Sequence, residues 1–227
     1  MAIAFKSSAS DGVVAATTSK ATTFAIATGD DVFVGGIESG GVTSVISNVT
    51  DTGGNSYSRV NVHEATSGSS HNTVDLWHTK ATASATGITT TYANTTAVKN
   101  LLVWSYTGGG GLGLNATAGA KTTNPTISLA MAGGGDFIVA LIGAGAQQTA
   151  TPQNGTQRAT TTVQAGIQGW AYDNTNAAAQ TLTDSFTVPV STIWSAVAVD
   201  LESVSAMPPL LDKHRSGHIE VHPLANL

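Results

Sequence analysis

The sequence predicts an all-β fold, a jelly-roll-like antiparallel β-sandwich with an extended C-terminal arm. Three observations carry this. Thr, Val, Ser, Ala and Gly dominate the chain, a mixture that disfavours helices and suits pleated strands. Apolar residues do not recur at three-four spacing in any window. Short apolar or alternating runs are instead punctuated by Gly, Asn, Asp and Pro at close intervals. Length agrees, since 227 residues suffice for one large β-domain or two small ones.

In chain order the runs are IAFKSSA (3–9), TFAIA (23–27), DVFVGGI (31–37), SVISNVT (44–50), SYSRVNV (56–62), TVDLWHT (73–79), ITTTYA (88–93) and NLLVWSY (100–106). TISLAMA (126–132), DFIVALI (136–142), GIQGWAY (166–172), LTDSFTV (182–188) and TIWSAVAVDLE (192–202) follow. NLLVWSY and DFIVALI are apolar on both faces, so both belong in the middle of sheets covered on two sides. In TVDLWHT, Val74, Leu76 and His78 share one face and Asp75, Trp77 and Thr79 the other. TIWSAVAVDLE sets Ile193, Val197, Val199 and Leu201 against Trp194 and Asp200. A faint echo links TFAIATGDDVFVGGI (23–37) with TISLAMAGGGDFIVALI (126–142): strand, Gly-Asp turn, apolar strand. It marks either equivalent hairpins in two halves of a sandwich or a generic hairpin signature.

The texture changes after the last strand. Residues 1–205 read as the sandwich domain and 206–227, AMPPLLDKHRSGHIEVHPLANL, as an arm that leaves it behind the stiff Pro208-Pro209 pair. Its apolar residues Leu210, Leu211, Ile219, Val221 and Leu224, with the two prolines, are the candidate contacts to a neighbouring subunit or another protein. In GHIEVHP, His218, Glu220 and His222 alternate with Ile219 and Val221. This pattern reads as an edge strand that docks its Ile/Val face; a zinc or iron site on His218, Glu220 and His222 is the weaker alternative.

Composition narrows the function. The formal charge is −5, only 10% of residues are charged, and no basic stripe appears, so nucleic acid is not an expected partner. Cysteine is absent, which removes disulfides and thiolate–metal sites. The longest apolar run, FIVALIGAGA (137–146), falls short of a membrane span, and the N-terminus lacks the pattern of a secretory signal, so assembly in the cytoplasm is expected. No cofactor is expected.

The motif candidates mostly resolve into turns. DTGGN (51–55) carries one carboxylate where a calcium loop needs several, and its residue types are those of a tight hairpin turn. IGAGAQQ (142–148) has Gln148 in place of the third glycine of a dinucleotide fingerprint and no helix pattern after it. TGGGGLGLN (107–115) lacks the Lys-Ser/Thr of a phosphate loop and reads as a flexible connection. No Gly-x-Ser-x-Gly elbow or His-Glu-x-x-His appears, and His63, Glu64 and His71 sit in polar, loop-like sequence, so no enzyme is expected. Trp104, in a doubly apolar strand, reads as core; Trp77 and Trp194, on faces shared with Asp75 and Asp200, are the candidate sugar-stacking residues, and Trp170 is ambiguous.

Taken in order, SVISNVTDTGGNSYSRVN, VDLWHTKA, ITTTYANTTAVKNLLVWSYTG, GDFIVALIGA, GWAYD and STIWSAVAVDLE resemble β-sandwich domains of tailed-phage virion proteins and bacterial surface or secreted proteins, over about residues 3–202. The resemblance implies a display or assembly role and brings no catalytic residues. The leading expectation is a capsid decoration (cement) protein on the phage head, made in the host cytoplasm, binding the major capsid protein as a homo-oligomer, with a trimer as the guess. A carbohydrate-binding domain of a phage fibre or bacterial surface protein is the alternative, and a hydrolase the third.

Overall fold

The computed structural model describes residues 2–14, 17–40, 45–95, 98–131, 134–145, 151–161, 167–175 and 180–204. These hold strands and no helix. The first eight are β1 (Ala4–Val14), β2 (Ser19–Ile26), β3 (Asp31–Gly40), β4 (Ile46–Asp51), β5 (Ser58–Ser67), β6 (Ser70–Lys80), β7 (Ala85–Tyr92) and β8 (Val98–Thr107). The rest are β9 (Gly109–Thr122), β10 (Thr126–Ala130), β11 (Phe137–Ala144), β12 (Thr151–Asn154), β13 (Thr156–Thr160), β14 (Gln168–Thr175), β15 (Thr181–Thr187) and β16 (Thr192–Ser203).

They pair antiparallel into four sheets, and the two sets of pairings repeat. The first eight strands give β1-β8-β3-β6-β5 and β2-β7-β4; the last eight give β9-β16-β11-β14-β13 and β10-β15-β12. Adding eight to each label of the first set produces the second. Each half therefore carries the nested pairings β1:β8, β2:β7 and β3:β6, or their equivalents, as a jelly-roll-like sandwich does. The expected sandwich is thus two eight-stranded halves joined at Gly108, and the 23–37/126–142 echo marks the equivalent pair β2–β3 and β10–β11. The turns share a Gly-Asp pair: Gly29 (φ 90°) and Gly135 (φ 84°) precede Asp30 and Asp136. The acids then differ in partner, Asp30 accepting from Ala27 N in its own turn at 2.8 Å and Asp136 from Ser203 N at the end of β16 at 2.7 Å.

The halves stack face to face. The two five-stranded sheets enclose the central core, with Phe33, Ile37, Leu76, Trp104 and Tyr106 from one side and Val139, Leu141, Val197, Val199 and Leu201 from the other. Each three-stranded sheet then covers the outer face of its partner, over Phe24, Ile46, Ile88, Leu101 and Val103 in the first half and over Ile127, Leu129, Ile142, Trp170 and Trp194 in the second. A four-layer stack needs two strands apolar on both faces. These are the doubly apolar runs of the sequence: β8 lies between β1 and β3, and β11 between β14 and β16. Burying each of their large side chains contributes roughly 1.5–3 kcal/mol.

β3 and β11 meet where the halves face each other, and equivalent positions touch. Counting from Gly29 and Gly135, Gly35 corresponds to Leu141, Ile37 to Gly143 and Ser39 to Gly145. A Cβ on Gly35 would lie 2.8 Å from both Leu141 methyls. On Gly143 it would lie 2.5 Å from Ile37 Cγ2 and 2.7 Å from Val74 Cγ1. At both levels a branched aliphatic fills the space its glycine counterpart leaves. Polar contacts also cross the junction. Tyr106 Oη donates to Asp173 Oδ2 at 2.8 Å, and Lys80 Nζ donates to Asp31 Oδ2 at 2.7 Å and to Gly109 O at 2.8 Å.

Three strands escape the sequence reading. TGGGGLGLN is no flexible connection: from Gly109 it forms the start of β9, paired with β16 along its length. Its glycines leave no side-chain periodicity to read, and they are required by crowding, since a Cβ on Gly119 would come within 2.8 Å of His63 Nε2. β12 and β13 are short and polar, separated by Gly155 alone. Because Gly143 seats Ile37, Gly143→Val is expected to cost about 1–3 kcal/mol. The urea midpoint of the variant measures it, and adding Ile37→Ala to the same chain should recover part of the loss.

Candidate functional site

The arm residues Pro208, Pro209, Leu210, Leu211, Ile219, Val221 and Leu224, and the His218, Glu220, His222 group, lie outside the described residues. Among the described residues no three His, Cys, Asp or Glu side chains gather as a metal group.

The tryptophan expectation changes. Trp194 is 5% exposed, packs in the core under the outer sheet of the second half and donates from Nε1 to Thr122 Oγ1 at 3.0 Å. It cannot serve as an open stacking platform. Asp200 on the same face suggested solvent, but the face is covered by β10 and Asp200 is buried with it. Trp170 is likewise core. Trp77 is half-buried against the first outer core, with the Arg59 guanidinium 5.0 Å from its ring centroid. Arg59 Nε also donates to buried Asp75 at 3.0 Å, so Trp77 belongs to an ion-paired cap on that core.

DTGGN is a turn, as read, but not a hairpin. β4 and β5 belong to different sheets, so this stretch is the corner that carries the chain from the outer to the inner layer. Asp51 organises it. Its Oδ1 accepts from Gly53 N at 2.9 Å and Asn55 N at 3.1 Å, and its Oδ2 from Asn55 Nδ2 and Tyr57 Oη, both at 2.8 Å. Burial raises the Asp51 carboxyl, but these donors outweigh it and hold it below its ordinary value. Asn55 Oδ1 in turn accepts from Thr82 N and Ala83 N. Both carboxylate oxygens are committed to tying the corner.

The site the structure offers was not singled out from sequence. At the third level of the β3–β11 crossing Ser39 faces Gly145, a small polar side chain where the levels beneath have a branched aliphatic. A cavity of about 340 Å³ opens there, lined by Ser39, Ser69, Ser70, Lys121, Ser191 and Thr192 and also by Gly40, His71, Gly145 and Ile193. It draws on both halves: the end of β3 and the β5–β6 turn from the first, and the ends of β9 and β11 and the start of β16 from the second. Its floor is set by Gly145, whose Cβ would lie 3.3 Å from Ser39 Oγ and 4.0 Å from Asn72 Nδ2. The echo could have found it, because aligning 23–37 with 126–142 and extending both strands places Ser39 opposite Gly145.

No family model, curated protein or solved structure matches this chain. What the cavity can do therefore rests on its chemistry. It holds serines and a histidine, but they form no nucleophile pair among the described residues. His71 alternates with Asn72 along β6, so its ring turns to the opposite face of the sheet, where Nδ1 contacts Glu64 Oε1. His71 meets the serines through its backbone: Ser39 Oγ donates to His71 O at 3.2 Å. The walls present hydroxyls and, among the described lining residues, Lys121 alone is formally charged. At the other end of β3 a second cleft, lined by Thr28, Gly29, Asp30, Lys80, Thr107, Gly108, Gly109 and Val204, lies where the described chain ends.

The ionisable groups with raised values lie elsewhere. Burial pushes the Asp184 carboxyl up to about 8, with the charge of Asp173 adding to it, and both its oxygens lack hydrogen-bond partners. Burial pushes Asp75 up to about 6, opposed by Arg59. A carboxyl raised above its unfolded value of about 3.9 holds its proton more tightly when folded. It therefore favours the fold in acid and loses that contribution as pH rises to the folded value. The window is about 4 to 6 for Asp75 and about 4 to 8 for Asp184, with a slope of up to about 1.4 kcal/mol per pH unit for each. Between pH 6 and 8, where Asp184 dominates, the urea midpoint is expected to fall in the native chain and to stay nearly level in Asp184→Asn.

Proposed function

We propose that this chain is a virion structural protein, a decoration (cement) protein that stabilises a tailed-phage head by binding the major capsid protein. The observation that carries the reading is the character of the two outermost sheets. Ser19, Ala21, Thr23 and Ala25 of β2, and Thr126, Ser128 and Ala130 of β10, are all exposed and none is charged. Thr91 of β7 and Thr50 of β4 extend the first face. Such faces can be buried against another protein without stripping water from charges, which is the main cost of a polar contact. Behind each face lies a packed core, so the surface is presented on a rigid body.

The resemblance of the strand motifs to phage virion and bacterial surface domains supports the same reading. In it, residues 206–227 reach a neighbouring subunit and add a strand or an apolar anchor, with oligomerisation, as a trimer, around a symmetry axis. Selective binding to the assembled shell then stabilises that shell by mass action. A second reading, a carbohydrate-binding domain, is favoured by one observation: the hydroxyl-lined cavity between the halves.

Co-sedimentation with assembled tailed-phage capsids tests the first reading. The full chain is expected to pellet with capsids, and deletion of 207–227, or Ala21→Glu with Ala130→Glu, to weaken binding at least tenfold. Full occupancy by all three forms would refute the proposal.

A further inference from the structure

We propose that the cavity between Ser39 and Gly145 binds a single acidic monosaccharide unit, a hexuronate, with its hydroxyls on the serine walls and its carboxylate on Lys121. The inference rests on the carbohydrate reading and is independent of capsid binding.

The cavity exists because of a choice made at one level of the central crossing. Gly35 and Gly143 are each filled by a branched aliphatic from the opposite half, whereas Gly145 is met by polar atoms, Ser39 Oγ, Ile193 O and Asn72 Nδ2. The opening lies at the junction of two structural halves, where ligand sites concentrate, and its 340 Å³ stands near the small end of such sites, roughly 300–1,000 Å³. That is room for one sugar ring rather than an extended chain.

The lining selects the ligand. Ser39 Oγ donates to His71 O and Thr192 Oγ1 to Ile193 O, so the hydrogens of both are used and their lone pairs are left to accept. Among the described residues, the hydroxyls of Ser69, Ser70 and Ser191 make no hydrogen bond to another protein group. Groups that both donate and accept match this wall best, and those are ligand hydroxyls. Inorganic phosphate carries at most two hydrogens near neutral pH and no ring of hydroxyls, so it meets this wall less fully than a sugar acid does. Among the described lining residues Lys121 supplies a single positive charge and there is no carboxylate, so a hydroxylated ligand bearing one carboxylate matches the electrostatics as well. Those residues include no Phe, Tyr or Trp on which a sugar could stack, and a dissociation constant on the order of 1 mM is expected.

Amide chemical shifts of the full-length chain, titrated separately with D-glucuronate, D-glucose and inorganic phosphate, test this. Saturable shifts with glucuronate should centre on residues 39–40, 69–72, 121 and 191–193, at about tenfold tighter binding than glucose, with phosphate inert. Ser39→Leu fills the opening and should abolish the shifts while keeping a melting temperature at or above that of the native chain. Lys121→Gln, an exposed substitution, should reduce glucuronate to the glucose level. No saturation with glucuronate at about 50 mM, equal affinity for glucose, an equal response to phosphate, or unchanged binding in Ser39→Leu would each overturn the assignment. Capsid co-sedimentation should be indifferent to both substitutions, so failure here and failure of the decoration reading are separate results.

Discussion

Two β-strands crossing face to face fix the arrangement of everything else. β3 and β11 occupy equivalent places in the two halves, and the stacked sheets, roughly 10 Å apart, bring their inward side chains onto one another. A pair of identical chains would be obliged to put the same residue on both sides of each contact. Two glycines would leave a void and two leucines would clash. Within one chain the halves are free to differ, and they do so in a complementary way: Leu141 against Gly35, Ile37 against Gly143. The duplication thus solves a packing problem that symmetry would create, and it makes one core of what the strand order describes as two sandwiches.

The same arrangement sorts the charges. The buried acids gather between layers, where each needs partners: Asp173 takes Tyr106 Oη from the other half and Arg158 Nε at 2.7 Å, and Asp31 takes Lys80 and His78. Asp184 is the exception, buried with both oxygens unbonded and relieved by holding its proton instead. The outermost sheets keep threonine, serine and alanine outside, a two-residue alternation with apolar residues inside in β10 and with Phe24 and Ile26 beside buried Lys20 inside in β2. A molecule with its charge placed inside and at its ends presents two flat faces that cost little to dehydrate. The fold and the proposed mode of contact follow from one distribution.

How much of this was legible depended on whether side chains left a signal. The apolar runs 100–106 and 136–142 announced strands covered on both faces, and β8 and β11 are those strands. β9 was invisible because glycine and alanine carry no periodicity, although its partner β16 was plain. Trp194 is hidden for a related reason: an acid on the same face is the usual mark of solvent, and the second covering layer that buries both is not deducible from one strand. The DTGGN turn was read from its chemistry, but whether a turn joins two strands of one sheet or of two is a tertiary matter. The cavity itself needed the alignment of the halves, since Ser39 and Gly145 are unremarkable until they face each other.

An unfilled level at the centre of a stack invites an energetic objection. A closed apolar void of 340 Å³, at about 24 cal/mol per Å³, would cost about 8 kcal/mol, enough to consume the stability of an ordinary domain. The lining answers it. Serine and threonine hydroxyls and an exposed lysine let water, or the hydroxyls of a ligand, occupy the space with hydrogen bonds, so the apolar cavity penalty does not apply. The aliphatic pairs Gly35–Leu141 and Ile37–Gly143 lie deeper, where water would be expensive, and there the space is filled. Polarity and packing change together along the crossing, from a dry, interlocked interior to a wet, open end. A gap left by imperfect packing would have kept the apolar lining of the levels beneath it; this one is built from groups suited to hold something polar.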